Sequence, residues 1–107
     1  MTQESIEQLR KKINDISVGY LFFQKKDNVE RMKELIPHIQ EFIMWFMQDN
    51  QFGIETQLYK DMQADLLGIL QDILQALEQD DKVLMHDATA YGLVNYLECF
   101  TEDTVEG

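Results

Sequence analysis

The stretch Leu66-Leu67-Gly68-Ile69-Leu70-Gln71-Asp72-Ile73-Leu74-Gln75-Ala76-Leu77 decides the fold class. Met62, Leu66, Ile69, Ile73 and Ala76 step by four, three, four and three. That spacing keeps side chains on one stripe of an α-helix. Leu67, Leu70, Leu74 and Leu77 form a second stripe beside the first. Two adjacent stripes predict a helix buried over a wide arc.

The same rhythm runs toward the N-terminus. Ile6, Leu9, Ile13, Ile16, Tyr20 and Phe23 form one stripe, and Val29, Met32, Ile36, Ile39, Ile43 and Phe46 another. A weaker set, Val83, Leu84, Ala88, Tyr91, Val94 and Leu97, follows toward the C-terminus. The breaks agree with these segments. Asp27-Asn28-Val29-Glu30 reads as a capping box, with Asp27 as N-cap and Glu30 reaching back. Asp49-Asn50-Gln51-Phe52-Gly53 is rich in turn formers, and Asp80 or Asp81 can cap the last segment. Helices are predicted near 3–26, 28–49, 55–79 and 81–101, in one domain over 1–101 with a frayed acidic tail over 102–107. The simplest all-α solution is an up-down-up-down four-helix bundle. A pair of long hairpins completed by a second chain is the alternative.

Composition agrees: 107 residues, 45% hydrophobic and 27% charged, describe one globular domain. No apolar run approaches the roughly 20 residues of a membrane span, and Met1-Thr2-Gln3-Glu4-Ser5 does not begin a signal peptide. A single cysteine, Cys99, suits a reducing, cytoplasmic setting. The net charge of −11 is lopsided: residues 1–53 carry −1, residues 54–107 carry −10, and no Lys or Arg follows Lys82. Such a field argues against nucleic acid and anionic membrane as partners. It serves solubility, or attraction to a basic partner.

Several residues interrupt the regular pattern. Pro37 falls inside the second segment, where it deletes a backbone donor and predicts a kink. Phe42-Ile43-Met44-Trp45-Phe46-Met47 is apolar around the whole helix, so part of it must be exposed or covered. In an alternating bundle one pole gathers Phe42, Trp45, Phe46, Phe52, Tyr59, Tyr96 and Phe100. Aromatic residues with flexible Met suit adaptable binding surfaces, and they equally suit an ordinary core. Ala64 with Gly68, and Ala88 with Gly92, place small residues one turn apart, which permits close helix approach. Asp87, Tyr91 and Asn95 share a stripe next to the core seam, where they form either a buried polar pair that fixes register or a polar binding site.

Catalytic signatures are missing from the sequence. His38 and His86 are preceded three residues earlier by Leu35 and Val83, not by Glu, so the di-iron bundle motif does not occur. One Cys and two separated His fall short of a zinc set. Asp61, Asp65 and Asp72 are the residues a metal-dependent nucleotide pyrophosphohydrolase-like enzyme would use, without the paired Glu-x-x-Glu and Glu-x-x-Asp arrangement of that class.

Leu66-Leu67, Ile69-Leu70, Asp72-Ile73-Leu74, Ala76-Leu77-Glu78, Asp81, Leu84, Asp87, Tyr91, Leu93 and Tyr96-Leu97-Glu98 resemble a pattern in small all-helical proteins of Gram-positive anaerobic bacteria. That pattern has Glu on both sides of the Tyr and a Pro four residues later, where this chain has Ala90, Gly92 and Asn95. The resemblance covers about a third of the chain and implies a fold. At the level of class, a small acidic helical chain is similar to flagellar and secretion export chaperones, which shield an apolar helix of a client.

The sequence therefore leads us to expect a non-enzymatic interaction module without a cofactor or metal. It would bind an apolar or amphipathic helix of a partner through Phe42, Met44, Trp45, Met47, Phe52 and Tyr59. A homodimeric structural bundle is the alternative, and the hydrolase a more distant one.

Overall fold

A computed structural model describes residues 2–50 and 53–100. Phe52, expected at the partner-binding pole, and the tail over 102–107 lie outside the described residues. The described chain is all-α, without a strand. Its elements are α1 (Gln3–Phe22), α2 (Asn28–Lys33), α3 (Ile36–Gln48), α4 (Thr56–Gln79), α5 (Lys82–His86), a π-helical segment (Asp87–Leu93) and α6 (Val94–Cys99). They span 40 × 31 × 19 Å. The shortest dimension is about two helix diameters, so helices form two layers and each keeps an outer face.

Helix ends follow local chemistry. Thr2 and Ser5 form a reciprocal capping box that opens α1. The box expected at Asp27 does not form: Asp27 occupies the N-cap position of α2, but its side chain makes no capping hydrogen bond. Asp81 does cap α5, accepting from the Leu84 amide at 3.0 Å. Asp80 ends α4 in the left-handed region at φ 52, and the Asp81 amide returns to the Ala76 carbonyl. Asn50 braces the α3–α4 joint by bonding both the amide and the carbonyl of Ile54.

The structure corrects three expected helices. The first ends at Phe22 rather than 26, because Gln24 turns left-handed at φ 55 and the Lys25 amide returns to Gly19. Phe22 and Phe23 beyond the core gain nothing from a further turn, being 74% and 69% exposed. The second helix is two helices, not one kinked rod. The Glu34 and Leu35 amides bond three residues back, to Arg31 and Met32, and Pro37 sits in the first turn of α3. There its missing N–H costs little. The last helix contains the π segment, in which the Val94 amide reaches back five residues to Thr89. The Thr89 hydroxyl donates to the Met85 carbonyl and occupies that acceptor.

The core runs along all these elements. Ile6, Leu9, Ile13 and Ile16 of α1 meet Val29 and Met32 of α2 and Ile39, Phe42, Ile43 and Phe46 of α3. Leu66, Ile69, Ile73 and Ala76 of α4 and Met85, Leu93, Val94 and Leu97 of the C-terminal run complete it. Helix α1 packs on α2 and α6, α2 on α5, and α3 on α4. The wide burial expected of α4 is not found. Its first stripe is core, but Leu67 and Leu74 of the second are 49% and 40% exposed.

Candidate functional site

The aromatic pole exists, and most of it is structural. Phe42 is fully buried, at ring-centroid distances of 5.9 Å from Trp45 and 6.1 Å from Phe100. Trp45 is half-buried and meets Phe100 edge-on at 5.7 Å. Phe46 contacts Tyr59, Tyr96 and Phe100. The Tyr59 hydroxyl donates to the Phe46 carbonyl, which fixes the start of α4 against the end of α3. Tyr96 donates to Asp65 Oδ2 at 2.5 Å. Burial, and then that carboxylate, push the Tyr96 phenol well above the usual tyrosine range. The rings thus form a cluster of tilted and edge-on contacts that joins α3, α4 and the end of α6.

The surface those rings support lies on the other side of α3. Met44 is 65% exposed, and Met47 is half-buried. Between α3 and α4 runs an apolar groove of about 560 Å³, lined by Ile43, Met44 and Met47 on one wall and Leu67 and Leu70 on the other. Gln40 and Gln48 border it, and no charged residue lines it. On the opposite flank of Met44 a second, more polar cleft is lined by Pro37, Glu41 and Trp45. Met44 is therefore a ridge between two depressions.

Of the residues expected to bind a partner, Met44, Trp45 and Met47 border these depressions. Phe42 supports them from the core, and Tyr59 is engaged with Phe46. Sequence reasoning missed Leu67 and Leu70, because it assigned the second stripe of α4 to the interior. It also missed the exposed Phe22 and Phe23 at the far end of α1, having placed Phe23 on the α1 core stripe.

Asp87, Tyr91 and Asn95 all lie on the exposed surface, not beside the core seam. The π turn adds a residue to one helical turn and rotates the inner face from Met85, His86 and Thr89 to Leu93, Val94 and Leu97. Tyr91 is thrown outward to 63% exposure. Asn95 donates to its carbonyl at 2.8 Å. The Tyr91 ring stands edge-on to buried His86 at 5.0 Å, and the Tyr20 ring lies tilted against the same imidazole at 5.1 Å. His86 Nδ1 lies 3.5 Å from the Ser17 hydroxyl, and Nε2 has no hydrogen-bond partner among the described residues.

Asp61 accepts from Gln57, Asp65 is held by Tyr96, and Asp72 faces solvent. Among the described residues, no group of three or more His, Cys, Asp or Glu side chains is placed to hold a metal ion. No helix among them is long and apolar enough to cross a membrane. Comparison with protein-family models, curated proteins and solved structures finds no match.

Proposed function

We propose that this chain is a non-enzymatic protein-interaction module that accepts an apolar or amphipathic helix in the α3–α4 groove. The observation that carries the reading is the uncharged groove itself. Met44 and Leu67 stand exposed on its two walls in a chain of net charge −11. Apolar walls of Met and Leu between two helices suit a third helix presenting residues at i, i+3, i+4 and i+7. Underneath, an up-down-up-down bundle supplies the frame, its second rod divided and its fourth carrying the π turn. The packing of α1 on α6, α2 on α5 and α3 on α4 supports that arrangement.

The test is a titration of the dilute chain with a Leu-rich amphipathic model helix, followed by Trp45 emission. Saturable binding is expected, abolished by Met44→Glu and by Leu67→Glu while far-ultraviolet circular dichroism stays unchanged. Binding that both variants retain would sink the proposal.

A further inference from the structure

We propose that the helix this groove accepts is α4 of a second copy of the same chain, laid antiparallel along Leu67, Leu70, Leu74 and Leu77. The proposal rests on reading the groove as helix-binding and names its occupant. These four residues step by three, four and three, the spacing of a coiled-coil seam, and every position is Leu. The seam adjoins the core stripe, yet Leu67 and Leu74 keep 49% and 40% of their surface in solvent.

Charge distinguishes a second copy from a basic client. A client drawn by the acidity of this chain would need carboxylates around the groove. Instead Asp61, Asp65 and Asp72 of α4, spaced by four and seven residues, share the face turned away from the seam, and the groove is bordered by Gln40 and Gln48. An isologous interface sets each group near its own copy, so it must be neutral close to the axis. This is the neutral face of a strongly acidic chain.

The orientation follows from Lys60 and Glu78. Both are exposed, and they are 18 residues apart. That is five turns, about 27 Å along one edge of the seam. A two-fold axis perpendicular to α4 near Ile69 keeps that edge on the same side while reversing the helix. It therefore brings Lys60 of each copy to Glu78 of the other, twice. A parallel pair would put the two edges on opposite sides. The 24 residues of α4 extend about 36 Å.

Sedimentation equilibrium of the full chain, with variants, tests this. The wild type should weigh twice its 12.6 kDa. Leu67→Glu should yield a helical monomer. Lys60→Glu should weaken association by about tenfold, because it opposes like charges twice. Adding Glu78→Lys to Lys60→Glu should restore it. A wild type that stays monomeric at high concentration overturns the proposal, as does a dimer indifferent to Leu67→Glu. A double variant no tighter than Lys60→Glu alone overturns the antiparallel geometry. A monomer that still binds the model helix in a Leu67-dependent way leaves the module reading standing and removes the second copy as occupant.

Discussion

The Tyr96 hydroxyl donates to Asp65 Oδ2 at 2.5 Å and so joins the last helix to the middle of α4 across 31 residues of sequence. Because burial and the Asp65 carboxylate raise the Tyr96 pKa, the folded state holds this proton more tightly than the unfolded chain does. The stabilisation is complete below about pH 10, where an unfolded tyrosine begins to ionise, and fades as pH rises further. In an ultraviolet titration of tyrosinate absorbance, Tyr96 should contribute a late phase. Tyr96→Phe should remove that late phase and cost about 1 kcal/mol at neutral pH. A late phase that Tyr96→Phe leaves unchanged would contradict it.

The two small-residue pairs should answer alanine differently. A Cβ at Gly68 would meet nothing within 4 Å, whereas one at Gly92 would lie 3.3 Å from Ile69 Cδ1 and Cγ1. Gly68→Ala should therefore gain about 0.5–1 kcal/mol from helix propensity alone. Gly92→Ala must displace Ile69 and should be clearly less stable than Gly68→Ala. Urea midpoints compare them directly.

Two aspartates at equivalent cap positions should also separate. Asp81→Ala loses the bond to the Leu84 amide and should cost about 1 kcal/mol. Asp27→Ala loses no capping bond and should stay within about 0.5 kcal/mol of wild type. Equal losses would show that the Asp81 bond contributes nothing particular.

Trp45 and Met44 are adjacent in sequence, but truncating them should have different consequences. Trp45 packs on Phe42 and Phe100, so Trp45→Ala should lower stability by about 2 kcal/mol, less than the loss at a fully buried aromatic. Met44 is 65% exposed, and Met44→Ala should be nearly neutral for folding. Thermal melts of the two variants check this. Met44 is accordingly the cleaner probe of partner binding.

Much of the architecture was legible in the residues. The stripes from Ile6 to Ile16 and from Leu66 to Ala76 are buried as their spacing predicts, and Asp81 caps the helix it precedes. The gathering of Phe42, Trp45, Phe46, Tyr59, Tyr96 and Phe100 also followed from the order of the segments. Pro37 signalled an irregularity but not its form. A divided helix at Glu34–Leu35 needs α2 and α3 to find separate partners.

The sequence alone determined that the chain is helical, where its stripes lie, and which residues share each stripe, because helical period is a local property of backbone geometry. Tertiary structure decided which stripe is covered. Leu66 and Leu67 are neighbours of equal hydrophobicity, and only the packing of the other helices against α4 buries the first while leaving half of the second in water. Tertiary structure likewise decided the face of the last helix: the π turn at Asp87–Leu93 moves Tyr91 outward and Leu93 inward, which a constant period of 3.6 residues does not encode. The candidate site follows from the first of those choices. It is an apolar stripe written plainly in the sequence and left uncovered by the packing of the remaining helices.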